Sequence, residues 1–513
     1  MKKVAPYLPA ALIATVLIAV ATAAHATEYL ALVSKDAASD PAWLEVGAKL
    51  STLHSGESEV WDGTENGLVG ALKKHQPRYL AIIGKPESFK ASTVRAINRA
   101  TRMANDDPWT VCRWGLITGN TPEDAMRLVE SRKALIIRRA LTTTGMDLSL
   151  VDSALTLSDG KKGDYTRKHP GKAPESGTWN ASEQPTGTVN MFADYWNTED
   201  PQLLVTSSHS TQYNLEMPFS LGLIASYGGK FHVLSMQQRN VFAKFLGGAM
   251  FTGEADKLGQ WIDSTKAPIL VTSTESCRVW MAAGNCLIGD AKGTNHSMVV
   301  SALSAAGFRQ FVGYVVPTWY GRAGWGTFSL WQGSQGGLSL SEAFFLNTQT
   351  LIDETITRFP GAEKINFDAE DIETGLKSDR RFMEGLSRLI PKLKPSKSDQ
   401  KDLLGLIHDR DVLAFWGDPL WEARFDPTLK PHPVKSSWQT SADSLTLTLT
   451  ASVDFKGAYP LWLPKRIKSA SLTIPDGVKL DALATDDFIL IRKLTLKQGE
   501  TIILGIGSAK LAK

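Results

Sequence analysis

Two residues of reactive type follow predicted strands of an α/β pattern. His209 stands after the apolar run 203–206, and Cys286 stands after the apolar run 279–283. Open α/β sheets place their sites just beyond the carboxyl ends of strands, so both residues fall where a catalytic group belongs. A thiol nucleophile needs an imidazole to exchange its proton, and backbone N–H groups to hold the oxyanion of a tetrahedral intermediate. The pair therefore indicates nucleophilic catalysis by a thiol.

Other interpretations of these residues stay open from the residues alone. Cys277 follows the apolar run 269–272 and competes with Cys286 for the role of nucleophile. A free cysteine in an α/β core is most often a small buried hydrophobe, and His209 by itself is more often a loop histidine than a base. In an exported chain, Cys277 and Cys286 could instead form a disulfide, which would remove the thiol.

The sequence excludes several other kinds of site. It has no HExxH zinc motif, no GxSxG nucleophile elbow and no Walker phosphate loop. The nine histidines are scattered with no close pair at helical spacing, which makes a zinc site a weak candidate. Lys and Arg total 56 and Asp and Glu total 53, for a net charge of +3, so the charge balance gives no support for nucleic acid as a partner. No cofactor is predicted.

The N-terminal segment has the composition of an export signal. Lys2 and Lys3 precede an apolar run at 10–21, and Ala-His-Ala at 24–26 is a small-x-small cleavage pattern. The apolar run is too short to span a bilayer well, and no second run of about 18 residues follows. We therefore expect an exported protein, periplasmic, secreted or at the cell surface, with no integral membrane segment after the signal is cleaved.

The elements that must position His209 and Cys286 follow an alternating α/β pattern. The length of 513 residues favours about two to four domains with cores of their own. From Tyr29, short apolar runs alternate with amphipathic stretches, which is typical of a layered α/β fold. The segment 160–187 holds five glycines and three prolines without apolar periodicity and predicts a surface loop or linker. The apolar run 220–226 predicts a helix.

Changes in composition divide the chain into predicted parts. After 431 the pattern becomes β-rich with turns between short runs, which suggests a small β-sandwich. The predicted parts are a signal peptide at 1–26, an N-terminal α/β subdomain at 27–159, the loop or linker at 160–187, a second α/β subdomain at 188–425 and a β-sandwich at 431–513.

Several segments resemble a known family in sequence and order. They are Tyr-Leu-Ala-Ile-Ile-Gly at 79–84, Asn-Asp-Asp-Pro-Trp at 105–109, Gly-Leu-Ile-Thr-Gly at 115–119, Cys-Leu-Ile-Gly at 286–289, Phe-Val-Gly-Tyr at 311–314 and Phe-Trp-Gly-Asp-Pro at 415–419. In these segments the chain resembles the gingipain-type cysteine peptidases, exported bacterial enzymes with a caspase-like fold. The Gly-Asp-Pro and Cys-x-x-Gly segments are the most specific of them, and the order of His before Cys is also that of the caspase-like arrangement.

The resemblance implies a fold and a set of roles. It implies a caspase-like three-layer α/β/α domain in two subdomains, with 188–425 as the catalytic one, followed by the β-sandwich. It implies a cysteine endopeptidase with a protein or peptide substrate, in which Cys286 is the nucleophile and His209 the acid and base. The N–H groups of Ser210 and Cys286 would hold the oxyanion, and Trp319 and Tyr320 would line the substrate pocket. Calcium binding occurs among the relatives, and no EF-hand loop is present here.

The chain also departs from the family pattern. Ser210 follows His209 where the family has glycine, although serine also has a backbone N–H. The spacing of 77 residues from His209 to Cys286 predicts an insertion between their strands. Asp194 and Glu216 are both candidates to orient the imidazole. These departures leave a second hypothesis, a non-catalytic binding or surface protein that keeps the caspase-like fold and docks through its terminal sandwich.

Overall fold

The computed structural model describes residues 28–130, 133–246, 255–266, 268–292, 294–318, 320–366, 393–467 and 471–507. The predicted signal peptide at 1–26 and the predicted pocket residue Trp319 lie outside these residues. The described chain has mixed α/β architecture, with one large mixed sheet and several small antiparallel sheets. The α/β class predicted from the alternating pattern is confirmed.

The first part of the chain alternates strands and helices as predicted. Asp40 shows how the local sequence starts such a helix, because its carboxylate accepts the Ala42 N–H just before Pro41 opens the first turn. The elements are β1 (Tyr29–Ser34), α1 (Pro41–His54), β2 (Glu57–Trp61), α2 (Glu65–His75), β3 (Tyr79–Ile83), α3 (Ala91–Met103), β4 (Arg113–Ile117) and α4 (Pro122–Glu130).

The middle of the chain continues the large sheet and adds a smaller one. The elements are β5 (Leu135–Ile137), β6 (Arg139–Thr142), β7 (Ser153–Leu157), β8 (Asp164–Lys168), β9 (Glu175–Thr178), α5 (Gln184–Glu199), β10 (Leu203–Thr206), β11 (Asn214–Glu216), β12 (Gly222–Tyr227), β13 (Lys230–Ser235), α6 (Met236–Leu246), α7 (Ala255–Ser264), β14 (Ile269–Leu270), β15 (Arg278–Ala282), α8 (Met298–Ala305), β16 (Phe308–Tyr314), α9 (Arg322–Gly333), α10 (Leu340–Arg358), α11 (Lys397–Arg410), β17 (Leu413–Trp416) and β18 (Ala423–Phe425).

The last part of the chain is β-rich, as predicted. Two antiparallel sheets, in the orders β19-β20-β25-β22 and β21-β24-β23, bury one shared apolar cluster between them, which is how a β-sandwich is built. Alternation along β20 places Leu445, Leu447 and Leu449 in that cluster. The strands are β19 (Val434–Thr440), β20 (Ser444–Ala451), β21 (Phe455–Trp462), β22 (Leu472–Thr473), β23 (Asp481–Ala484), β24 (Phe488–Leu496) and β25 (Thr501–Gly507).

Within the described residues, the large sheet has twelve strands in the order β2-β1-β3-β4-β17-β16-β15-β10-β6-β7-β8-β9. The strands from β2 to β17 run parallel to one another, and β17 pairs antiparallel with β16. The strands from β16 to β7 are again mutually parallel. The carboxyl ends of β16, β15 and β10 therefore share one edge of the sheet with the amino ends of β17, β4 and β3. The strands β6 and β7, which the sequence placed in the N-terminal subdomain, pair on the β10 side.

The prediction of a structureless loop at 160–187 is wrong. This segment contains β8 and β9, which extend the large sheet as an antiparallel hairpin, and the start of α5. No residue of β8 or β9 is fully buried, because the hairpin forms the outer edge of the sheet. An edge hairpin that buries little has no apolar alternation to reveal it in the sequence.

The helix predicted at 220–226 is also wrong, because these residues lie mainly in strand β12. This strand is paired on both sides, to β11 and β13, and five of its six residues are buried. A short, continuous apolar run does not distinguish a buried strand from a buried helix by periodicity. The sheet β11-β12-β13-β14, with α6 and α7, lies between β10 and β15 in the chain and is the insertion that the 77-residue spacing predicted.

Candidate functional site

The candidate site begins where two neighbouring strands of the large sheet end. The strands β10 and β15 are parallel and adjacent, and their last residues, Thr206 and Ala282, are paired. His209 lies in the loop that leaves β10, and Cys286 lies in the loop that leaves β15. The topology therefore places the two predicted residues in adjacent loops at one edge of the sheet.

A direct hydrogen bond joins these two loops. The Ser210 hydroxyl donates to the Cys286 carbonyl oxygen at 2.7 Å. Ser210 follows His209 in sequence, so the bond connects the neighbour of the imidazole to the backbone of the thiol residue. The hydroxyl at position 210 thus makes a contact between the loops that a glycine there could not make.

The backbone N–H groups of Ser210 and Cys286 are available as donors. Ser210 pairs with Leu215 in an isolated antiparallel bridge, whose ladder bonds run from Thr211 N–H to Asn214 O and from Glu216 N–H to His209 O. The Ser210 N–H is therefore not used by the ladder. Within the described part of the chain, neither the Ser210 nor the Cys286 N–H has a protein acceptor. Free N–H groups on two adjoining loops are the components of an oxyanion hole.

The Cys286 sulfur contacts a third loop at the same edge. The Thr318 N–H donates to Cys286 Sγ at 3.3 Å, and the thiol donates to the Thr318 carbonyl oxygen at 3.4 Å. Thr318 follows β16, the strand next to β15. The half-buried thiol is thus held by two hydrogen bonds to the backbone of Thr318.

Glycines let the Cys286 loop lie close against the sheet. A Cβ added at Gly289 would lie 2.5 Å from the carbonyl oxygen of Gly313 in β16, so no other residue fits without a shift. Leu287 adopts the left-handed conformation at φ 58°. Close packing against β16 therefore requires glycine at position 289, whether or not Cys286 takes part in catalysis.

His209 is exposed to solvent, and its backbone carbonyl accepts the Glu216 N–H at 2.8 Å. The Glu216 carboxylate is already bound by the Arg239 guanidinium, with Nε at 3.0 Å, and by the Ser220 hydroxyl at 2.5 Å. Asp194 lies on α5, in a groove with Trp179. Of the two carboxylates considered for orienting the imidazole, Glu216 is bonded to His209 through its backbone N–H. Its carboxylate, however, binds Arg239.

Cys277 lies at the opposite edge of the sheet. It directly precedes β15, whose five residues span about 17 Å, whereas Cys286 follows that strand. Burial raises the pKa of Cys277, against the opposing effect of nearby Arg309. All three cysteines of the chain are free, so the alternative of a disulfide between Cys277 and Cys286 is excluded.

Tyr320 contacts helix α11. Its hydroxyl donates to Asp402 Oδ1 at 3.2 Å, and its ring covers Gly405, where an added Cβ would lie 2.2 Å from Tyr320 Cγ. Burial raises the pKa of Tyr320. Tyr320 thereby anchors the loop that carries Thr318 to α11.

A cavity is lined in part by residues that follow Cys286 and β16 in the chain. It has a volume of about 540 Å³ and is lined by Phe89, Leu287, Asp290, Lys292 and Val316, among others. Leu287 follows Cys286 directly, and Val316 precedes Thr318 by two residues.

The Gly-Asp-Pro segment has a structural role. Asp418 is buried and accepts the Tyr29 hydroxyl at 2.9 Å on Oδ1, while its Oδ2 lies 2.7 Å from His54 Nε2. Gly417 has φ 111°, and its carbonyl oxygen lies where a side chain at Gly115 would be. Asp418 therefore ties the end of β17 to β1 and α1, away from His209 and Cys286 in the chain.

Sequence reasoning missed two residues of this site, Asn285 and Thr318. Asn285 is fully buried and connects the loops of His209 and Cys286. Its position directly before Cys286 was the only feature of the sequence that pointed to it. The role of its amide depends on its hydrogen-bond partners, which the sequence does not reveal. Among the described residues, no cluster of three His, Cys, Asp or Glu could hold a metal ion, and no helix is long and apolar enough to cross a membrane.

Comparison with known proteins adds little to the geometry. No protein-family model matches the sequence, and no curated protein matches it significantly. A solved structure titled "Structure of Protease" is similar over 94% of this chain and 98% of its own, with a TM-score of 0.40 and 9% identity. A structural similarity at that TM-score gives no information about the activity of this protein.

Proposed function

We propose that this protein is an exported cysteine endopeptidase with a caspase-like arrangement, in which Cys286 and His209 form a catalytic dyad. The observation that carries the proposal is the hydrogen bond from Ser210 to the Cys286 carbonyl, which joins the two loops at the carboxyl ends of β10 and β15. Export remains a prediction from residues 1–26. The family resemblance in sequence supports the peptidase class.

The proposed first step is acylation of the thiol. With its proton on the His209 imidazole, the Cys286 sulfur attacks the peptide carbonyl carbon, a C–S bond forms, and the carbonyl π electrons move to oxygen. The Ser210 and Cys286 N–H groups donate to that oxyanion. When the oxyanion collapses, the C–N bond breaks and the imidazolium gives its proton to the leaving amine.

The proposed second step is hydrolysis of the thioester. The neutral His209 imidazole takes a proton from water as the water oxygen attacks the acyl carbon. The same two N–H groups hold the second oxyanion. Its collapse breaks the C–S bond, releases the carboxylate product and returns the sulfur of Cys286 with its partner imidazole. The chemistry needs no group beyond these residues and water.

We infer that the cavity lined by Leu287, the residue after Cys286, receives part of a peptide substrate. Its walls combine the apolar side chains of Leu287, Val316 and Phe89 with the charged Asp290 and Lys292. A mixed lining of this kind suits one side chain of an extended peptide placed across the thiol. The rival hypothesis, a binding protein that retains the fold, needs neither a reactive thiol nor its neighbour His209.

The proposal is tested by labelling the folded, reduced protein with a limiting amount of iodoacetamide at neutral pH and mapping the modified cysteines by mass spectrometry. We expect Cys286 to react first, because the proposed base His209 would take its proton and the Thr318 N–H donates to its sulfur. The rate at Cys286 should fall about tenfold or more in a His209→Ala variant. Cys277, at the other edge of the sheet, should label at a rate that His209→Ala leaves unchanged.

An unreactive Cys286, or labelling of Cys286 that His209→Ala does not slow, would count against the dyad. Cys112 serves as an internal reference for the integrity of the fold. It is fully buried, burial raises its pKa to about 12, and it should stay unlabelled until the protein unfolds.

A further inference from the structure

A series of buried hydrogen bonds links the loop after β10, which carries His209, to the loop after β15, which carries Cys286. The Trp280 indole donates from Nε1 to Thr206 Oγ1 at 2.9 Å, and the Thr206 hydroxyl donates to Asn285 Oδ1 at 2.6 Å. The Asn285 amide donates from Nδ2 to the Ser208 carbonyl oxygen at 2.9 Å and lies 3.3 Å from Ser208 Oγ. The series thus begins on β15, crosses to the end of β10, and ends at the residue before His209.

Both ends of the Asn285 side chain are engaged where water has no access. Thr206 and Asn285 are fully buried and Trp280 is nearly so. A buried amide that loses its partners is left without a hydrogen bond where water cannot replace them, so each of these bonds resists displacement. The carboxamide is also short and planar. Because its oxygen binds Thr206 and its nitrogen binds Ser208, it fixes the distance between the two loops.

Asn285 and Ser210 each connect the two loops through a side-chain hydrogen bond. Asn285 precedes Cys286 and bonds to Ser208, while Ser210 follows His209 and bonds to the Cys286 carbonyl. Ser208 in turn donates to the Glu216 carbonyl, and the Glu216 N–H holds the His209 carbonyl. The backbone on either side of His209 is therefore tied to the backbone on either side of the thiol.

We propose that Asn285 is a positioning residue that sets the placement of the His209 imidazole relative to the Cys286 thiol. This inference rests on the proposed function, because it assigns a role to that dyad. Asn285 touches neither substrate nor sulfur and acts through Ser208. A displacement of about 1 Å between catalytic groups can cost about 100-fold in rate, so the loss of the Asn285 connection should be visible in turnover.

The test compares the wild type with Asn285→Ala for hydrolysis of a peptide substrate found in a mixed library. We expect kcat to fall about 10- to 100-fold while KM changes less than about threefold, since Asn285 does not face the substrate. In a His209→Ala background, Asn285→Ala should have no further effect on kcat, because its effect passes through the imidazole. An equal loss in both backgrounds would overturn the inference and indicate a purely structural role.

A second pair of variants keeps the test valid if Asn285→Ala fails to fold. Thr206→Val is nearly isosteric and removes the hydroxyl that donates to Asn285 Oδ1 and accepts from Trp280 Nε1, whereas Thr206→Ser retains it. We expect Thr206→Val to lower kcat by about five- to 20-fold and Thr206→Ser to restore most of it. Equal kcat values for the wild type and Thr206→Val would also overturn the inference.

Labelling separates failure of this inference from failure of the proposed function. If the wild type hydrolyses no peptide, the peptidase proposal fails, but the rate of iodoacetamide labelling at Cys286 still reports the pairing of thiol and imidazole. A rate about tenfold lower in Asn285→Ala than in the wild type supports the positioning role. Equal rates contradict it, whatever the outcome for hydrolysis.

Discussion

At the scale of single residues, the turn between β11 and β12 holds two residues in an unfavourable backbone conformation. Phe219 and Ser220 have φ of 54° and 55°, in the left-handed region. Phe219 is also 44% exposed, so burial does little to offset that conformation. The turn is held by the Ser220 hydroxyl on the Glu216 carboxylate and by the Met217 N–H on the Gly222 carbonyl.

Replacing Phe219 should reveal this strain. Phe219→Gly should be more stable than Phe219→Ala by about 1 kcal/mol, because glycine adopts a positive φ without the penalty of a Cβ. At an ordinary strand or helix position the order is reversed, so the comparison isolates the backbone. Urea unfolding of the two variants measures the difference. An alanine variant as stable as the glycine variant would show that the turn is not strained.

The choice of His209 and Cys286 as candidates came from the sequence, whereas the residues that hydrogen-bond to their loops could not be predicted from it. His209 and Cys286 are of unusual chemical type and follow apolar runs, so strand ends and family resemblance suffice to select them. Asn285 and Thr318 are of ordinary type. Their roles arise from hydrogen bonds to Ser208 and to the thiol, across loops that only the folded sheet brings together.

At the scale of elements, a turn between β23 and β24 joins the sandwich to the large sheet. Asp487 accepts Arg78 Nε at 2.8 Å and also pairs with Arg466. The neighbouring Asp486 is farther from Arg466, at 3.4 Å. Burial, together with the negative charge of Asp487, raises the pKa of Asp486 to about 6.

This raised pKa predicts a dependence of stability on pH. An acid whose pKa is higher in the folded state binds more protons folded than unfolded between the two values, so its contribution to stability falls as pH rises from about 4 to about 6. Asp486→Asn should therefore raise Tm at neutral pH, by about 1–2 °C because the carboxyl is partly exposed and screened. The gain should shrink at pH about 4.

Asp443→Asn, at an exposed turn of the same sandwich, is the matched control for this measurement. The measurement is the Tm of both variants and of the wild type, from thermal unfolding at neutral pH and at pH about 4. A gain for Asp486→Asn that is equal at both pH values, or a similar gain for Asp443→Asn, would contradict the assignment.

The buried strand β10 of the large sheet followed from the sequence, whereas two other elements did not. The strand Leu203–Thr206 is fully buried and was predicted with its exact bounds. The hairpin of β8 and β9 lies at an edge and buries little, so its glycines and prolines suggested a loop. The strand β12 is buried on both faces, and its continuous apolar run resembled a helix.

At the scale of the whole molecule, the two halves of the large sheet run in opposite directions. The reversal occurs where β17 lies between β4 and β16, a placement that pairs Trp416 with Leu116 about 300 residues away. Local patterns carry no information about such a pairing, so the class of the fold could be predicted and the order of the strands could not. The reversal also brings the starts of β3 and β4 to the edge where His209 and Cys286 lie.

The sandwich is attached at that same edge, beside the starts of β3 and β4. Arg466 donates to the Val111 carbonyl oxygen at 2.8 Å, and Arg78 donates to the Leu463 carbonyl oxygen at 2.6 Å. Trp462 packs on the buried ring of Tyr79 at 6.2 Å between centroids. The sandwich is thus attached at the sheet edge at which the loops of His209 and Cys286 also lie.

The most direct measurement of the central claim is cleavage of a mixed peptide library by the mature protein under reducing conditions, with Cys286→Ala and Cys277→Ala compared to the wild type. The account predicts cleavage by the wild type and by Cys277→Ala, and a loss of about 1,000-fold or more in Cys286→Ala. Cleavage that survives in Cys286→Ala, or that is lost only in Cys277→Ala, would contradict the account and place the nucleophile elsewhere.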